Sequence, residues 1–249
     1  IAADIKLAHS IFALPFAILG ACIAAGAPLE WASLWLPLAL VVVAMVFART
    51  AAMLANRILD AEFDKANPRT AGRAIPSGRL SRGAATTAFV LACVGFLVVC
   101  VGFGVVLENW WPAMLGVPVL AWICAYGLFK RFTALCHLWL GASLALSPLA
   151  AAIAVNPDAL ATPTIWLLGA MVLGWVAGFD VIYALQDLDV DRRDGLHSIP
   201  AKFGTNGALW ISRTLHLAAV ACLVGVWQTE PAFGLVFGGA VILVAALLA

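Results

Sequence analysis

Eight stretches of this chain run for about 20 residues with almost no charge, at approximately 8–26, 32–56, 84–104, 109–129, 134–155, 162–186, 207–228 and 231–249. Roughly 20 mostly apolar residues are what a helix needs to cross the hydrocarbon core of a bilayer. Inside lipid every backbone N–H and C=O must be satisfied within the segment, so these runs become helices and not strands of an open sheet. Composition agrees, with 64% hydrophobic and 11% charged residues, against about 25% charged in a soluble domain. The expected fold class is an all-α membrane protein, a polytopic bundle of eight transmembrane helices with room for a ninth past Ala249. The chain opens at Ile1 and stops within an apolar run, so one or both ends are expected to be missing.

Charge alternates between the connections. Those after the second, fourth and sixth helices carry Arg57, Lys65, Arg69, Arg73, Arg79, Arg82, Lys130, Arg131, Arg192, Arg193 and Lys202, while the others carry Glu30, Glu108, Asp158 and Glu230 without Lys or Arg. Lys/Arg-rich loops face the cytoplasm, which predicts a multi-pass protein of a prokaryotic inner membrane with its basic face inside. A net charge of +1 supplies no field for nucleic acid. Six cysteines, Cys22, Cys93, Cys100, Cys124, Cys136 and Cys222, all lie in apolar runs without metal spacing and read as small packing residues.

The remaining charge gathers in two acidic clusters on the basic side. Asn56, Asp60 and Asp64 are spaced by four, as are Tyr183, Asp187 and Asp191, with Asp180 seven before Asp187. On a helix such residues share a face. Each cluster closes a long apolar helix and leads into an Ile-Pro pair, Ile75-Pro76 and Ile199-Pro200. The two clusters thus form a weak internal repeat, so the chain is expected to be one domain (1–249) of two pseudo-repeated halves, about 1–130 and 131–249. Close carboxylates repel unless a cation or proton intervenes. Hard oxygen donors without cysteine suit Mg²⁺, which binds through one or two carboxylates plus substrate phosphates. The neighbouring Arg and Lys suit phosphate oxygens. A diphosphate is the expected ligand, and the apolar surroundings add a lipid chain to it. Glu62 and Asp189 fall on another face and are expected to be solvated.

The sequence resembles the UbiA superfamily of intramembrane prenyltransferases. The first family motif matches Asn56, Asp60, Asp64, Arg69, Thr70, Arg73, Pro76, Ser77 and Gly78; the second matches Asp180, Tyr183, Asp187 and Asp191; a Tyr-x-x-x-Lys-Arg segment matches Tyr126, Lys130 and Arg131. The resemblance implies nine membrane helices around a central apolar cavity, with two Mg²⁺ ions bridging the diphosphate of a polyprenyl donor. It implies Asn56, Asp60, Asp64, Asp187 and Asp191 as metal and diphosphate ligands, and Lys130 with Arg69 and Arg73 on phosphate oxygens. Ala61 stands where many ubiquinone-pathway members carry a basic residue, a departure that leaves the acceptor open.

Departure of diphosphate leaves an allylic cation, so the chemistry requires neutralised leaving-group charge and exclusion of water. An electron-rich aromatic ring then attacks through carbon and a base removes its proton. Asp180, about two turns deeper than Asp187, is the candidate for orienting or deprotonating the acceptor, with Tyr183 beside it; the alternative is a carboxyl bonded to a helix neighbour. Arg49 lies seven before Asn56. An intramembrane arginine is expensive and calls for a partner; the carboxylate of an aromatic acid acceptor is the expected one, and a structural ion pair with Asp180 the alternative. His9 reads as a packing or interfacial residue. Trp166 and Trp175 are candidates for lining a lipid-chain tunnel or for core packing.

The expected activity is Mg²⁺-dependent transfer of a polyprenyl group to a 4-hydroxybenzoate-like acid in ubiquinone or menaquinone synthesis. Dihydroxynaphthoate or another acceptor of the superfamily is the alternative within this class. A membrane transporter is the alternative outside it, because intramembrane acids and arginines also mark ion paths.

Overall fold

The computed structural model describes residues 7–248, with side chains over 13–247; the side chain of His9 lies outside the described residues. The helices are α1 (Leu7–Ala25), α2 (Trp31–Leu59), α3 (Ala61–Ala66), α4 (Arg82–Leu107), α5 (Trp111–Phe129), α6 (Cys136–Val155), α7 (Pro163–Ala184), α8 (Leu188–Arg193), α9 (Ile199–Thr229) and α10 (Leu235–Leu248). Short 3₁₀ turns occupy Pro157–Ala161 and Leu185–Asp187, and the described residues contain no strand. This is an all-α membrane protein. All eight expected spans are present as helices, and among the described residues six are long and apolar enough to cross a bilayer. The last begins later than expected, at Leu235, because a turn at Pro231–Ala232 and Gly234 precede it.

Helix ends follow local chemistry. Ser81 and Ser198 accept N–H bonds from Ala84 and Ala201, satisfying donors that a helix start leaves free. Pro163 is the first residue of α7 and Pro200 the second of α9, where the missing N–H is harmless. A short helical segment from Ile199 precedes the expected seventh span, whose start at 207 lies just past a break in the helix. Gly204, with φ 69, provides the break in its first turns.

The chain forms two compact units, Ile1–Pro15 with Trp35–Leu128, and Phe16–Leu34 with Phe129–Ala249. In the first, α2 and α4 approach at Gly95 against the Phe47 ring, and α5 comes close to α2 at Gly127 beside Asn56. Along α4, Val90, Val94, Val98, Val101 and Val105 are exposed. Exposed valines in such a row belong against lipid, where no water penalises them.

In the second unit α6, α7 and α9 pack through small residues. A Cβ on Gly141 would meet the Leu173 carbonyl, one on Gly174 the Leu215 carbonyl, and one on Gly178 the His216 ring. Close backbone approach of this kind is how helices associate when lipid removes the hydrophobic driving force. Ser212 reinforces it by donating to the Gly178 carbonyl at 2.8 Å. Leu168, Val172, Val176, Ala219 and Val226 fill the core, with Trp175 packed on it and edge-on to Phe16. Trp175 is therefore a core residue. Trp166 is exposed, its indole N–H donating to the Leu160 carbonyl, as suits an interfacial tryptophan.

Candidate active site

In the first unit the acid cluster sits where α2 gives way to α3. Asp60 has φ −93 and ψ 6 at the junction, yet the i to i−4 ladder continues: Asp60 N–H bonds the Asn56 carbonyl at 2.9 Å and Asp64 N–H the Asp60 carbonyl at 2.7 Å. The spacing of four therefore survives the bend. Asn56 Nδ2 donates to Asp60 Oδ2 at 2.9 Å. Asp64 is buried, and a single Nη1 of Arg73 straddles its two oxygens at 2.6 and 2.7 Å. Thr70, also buried, donates to the Asp64 carbonyl at 3.0 Å.

The loop beyond is built to hold this pair. Asn67 Oδ1 accepts the Arg69 N–H, Arg79 donates to the Gly72 carbonyl at 2.6 Å, and Gly78 turns the chain with φ 76. The side chain of Arg69 is exposed. Glu62 is exposed and pairs with Arg82 at 3.2 Å, on the other face as expected. Arg49 lies well inside α2 with its Nε buried and, among the described residues, without a hydrogen-bond partner; Tyr126 of α5 is its electrostatic neighbour.

In the second unit the helix carrying the acids is interrupted. Asp180, Tyr183, Asp187 and Asp191 were expected to line one helical stripe, but the 3₁₀ turn Leu185–Asp187 separates α7 from α8. A 3₁₀ turn winds more tightly than an α-helix, which changes the phase between the two pairs. Asp187 and Asp191 are buried, Tyr183 is 42% exposed, and Asp189 is exposed. Lys130, at the end of α5, places Nζ 2.7 Å from Asp191 Oδ1. Asp191 Oδ2 is buried with no hydrogen-bond partner among the described residues. At the end of α8, Arg193 hydrogen-bonds Asp194 and holds its carboxyl below the usual carboxylate range, with Lys130 adding to the effect.

Asp180 pairs with a residue that sequence reasoning passed over. His137 Nδ1 lies 2.7 Å from Asp180 Oδ2, while its Nε2 accepts the Ile199 N–H at 3.2 Å. Nothing in the local sequence marks His137, since its partners lie 43 and 62 residues away.

Two of the cations expected on phosphate thus rest on acids expected to bind metal, one such pair in each unit. Among the described residues, no three His, Cys, Asp or Glu side chains group as a ready metal cage.

The model of the UbiA prenyltransferase family matches residues 13–249. The chain belongs to this family. It is 33% identical over 177 residues to a 4-hydroxybenzoate octaprenyltransferase of Enterobacter sp. strain 638, covering 71% of this chain and 58% of that protein. A protein of the same description from Photobacterium profundum is 35% identical over 190 residues, 71% of this chain and 63% of its own length. The matches span about three fifths of the length of these curated relatives. The apo structure of a UbiA homolog from Aeropyrum pernix K1 superposes with a TM-score of 0.86 at 33% identity, over 98% of this chain and 86% of that one. A structure of digeranylgeranylglyceryl phosphate synthase shares the fold, with TM-score 0.72 at 19% identity, over 99% of this chain and 84% of that one. For a UbiA member, the two acid-bearing segments and their basic partners are the candidate chemistry.

Proposed function

We propose that this protein is a prenyltransferase that moves a polyprenyl group from its diphosphate to the ring of a 4-hydroxybenzoate-like acid, in ubiquinone or menaquinone synthesis. Mg²⁺ is the metal, with Asn56, Asp60, Asp64, Asp187 and Asp191 as its ligands. One observation carries the reading: Asp191 is 1% exposed, one of its oxygens is bound to Lys130 and the other is buried without a partner among the described residues. A buried carboxylate left half-satisfied is costly and fits a cation donor. Two carboxylates of one segment, completed by substrate phosphate, also suit the coordination habit of Mg²⁺ better than a preformed cage.

When bound, Mg²⁺ neutralises the charge that collects on the departing diphosphate. The chain's own residues do the rest. Lys130, Arg69 and Arg73 bind phosphate oxygens; Arg73 and Lys130 already sit beside the acids in each unit. The allylic C–O bond breaks with its electron pair leaving on diphosphate, and the surrounding apolar helices keep water from the cation. Arg49, whose buried Nε seeks an acceptor, binds the carboxylate of the aromatic acid. Asp180, with Tyr183 beside it, orients the acceptor and takes its proton as the new C–C bond forms.

The names of the curated relatives favour hydroxybenzoate over naphthoate, and family membership favours transfer chemistry over transport. We assign the protein to the inner membrane with the site facing the cytoplasm, because the acids share their connections with the Lys and Arg residues. The domain reading, one domain of two pseudo-repeated halves, is kept with it.

The test is to incubate the purified protein with Mg²⁺, a polyprenyl diphosphate and a panel of aromatic acids, and to identify products by mass. Prenylated 4-hydroxybenzoate is expected, with turnover lost in Asp60→Ala and Asp187→Ala. Turnover without divalent metal, or undiminished in those variants, overturns the mechanism.

A further inference from the structure

His137 stands in the first turn of α6, 3% exposed. Because the Ile199 N–H donates to Nε2, that nitrogen carries a lone pair, and the ring's proton must be on Nδ1. The neutral imidazole therefore donates to Asp180 Oδ2. The Asp180 side chain makes no other hydrogen bond among the described residues and is 28% exposed. One of its oxygens is held and the other is open. The far end of the bridge is firm: Ser198, Ile199 and Pro200 are buried, and the His197 N–H bonds the Lys130 carbonyl at 2.7 Å. The ring thus ties α7 to the start of α9, just past the segment that carries Asp187 and Asp191.

We propose that His137 is the positioning residue for Asp180, donating from Nδ1 to one carboxylate oxygen so that Oδ1 is presented to the acceptor. This rests on the reading of Asp180 as the group that meets the acceptor. A hydrogen bond to a charged group is worth about 10- to 100-fold in an equilibrium or rate, and that is the loss expected in acceptor kcat/KM when the donor is removed.

The test uses the full chain in detergent with Mg²⁺, geranylgeranyl diphosphate and 4-hydroxybenzoate. His137→Leu should lower acceptor kcat/KM by about 10- to 100-fold while leaving donor KM within about twofold. His137→Gln keeps one donor and one acceptor and should recover most of the loss, which also guards against a Leu variant that folds poorly. Placed on Asp180→Asn, the His137→Leu change should add no further loss, because a residue acting only through Asp180 has nothing left to act on. Nitrogen-15 NMR, with the His137 signal identified by its absence in His137→Gln, should show a neutral Nδ1–H ring.

An Nε2–H or doubly protonated ring overturns the inference. So does equal loss in the Leu and Gln variants, or further loss on Asp180→Asn. If Asp180→Asn is impaired but His137→Leu is not, His137 alone is misread. If Asp180→Asn keeps normal acceptor kinetics, the role of Asp180 falls, and the inference with it.

Discussion

Removing the charge of Lys130 tests how the buried Asp191 is tolerated. Lys130→Met keeps the aliphatic stem and deletes only the ammonium that sits 2.7 Å from Asp191 Oδ1. Unit charges about 3.5 Å apart attract by about 5 kcal/mol at an effective dielectric near 20. Removing one partner of a fully buried pair destabilises by about 3–5 kcal/mol. Lys130 is 34% exposed while Asp191 is 1% exposed, so water screens one end, and about 2 kcal/mol is the expected loss. For a chain of this length that lowers the apparent Tm by about 4–8 °C. The assay is intrinsic-fluorescence melting in detergent at one fixed scan rate, because membrane proteins that unfold irreversibly report a rate-dependent Tm. Adding Asp191→Asn should recover most of the drop by removing the stranded charge, and Mg²⁺ should raise the Tm of Lys130→Met more than that of the wild type. An unchanged or higher Tm in Lys130→Met, or no recovery with Asp191→Asn, refutes the account of Asp191 as a buried charge balanced by Lys130.

Arg49→Leu should raise the KM for the aromatic acid at least about tenfold, the worth of one charged hydrogen bond; steady-state kinetics with each substrate varied separates this from an effect on the donor, which rejects the assignment. Gly127→Ala places a methyl 2.9 Å from Asn56 Nδ2, the end of a movable side chain. Stability in a melting assay should change by less than about 1 kcal/mol, while turnover falls because the Asn56–Asp60 bond is displaced. Gly141→Ala meets the fixed Leu173 carbonyl at 2.5 Å and should destabilise by about 1–3 kcal/mol, read in the same melting assay.

Much of this protein is written in one dimension. The spans follow from the length and apolarity of local runs, because lipid requires each helix to satisfy its own backbone; hence all eight expected helices exist, most with ends within a few residues of expectation. The contact of Asn56 with Asp60 is equally local, since residues four apart on a helix are neighbours. Local periodicity is less informative where geometry bends: the 3₁₀ turn at Leu185–Asp187 interrupts the helix that spacing implied, and Pro231–Gly234 delay the start of the last helix.

What the tertiary structure alone decides is partnership. The sequence contains Arg73, Lys130 and His137 without saying which acid each one holds. Lys130 reaches Asp191 and His137 reaches Asp180 across 61 and 43 residues, distances over which helical periodicity carries no information. Those pairings depend on how α6, α7 and α9 settle against one another, and that is governed by where Gly141, Gly174 and Gly178 let backbones approach. Sequence patterns set which groups are available near the membrane face; close packing of helices determines which of them are buried together and must therefore satisfy each other.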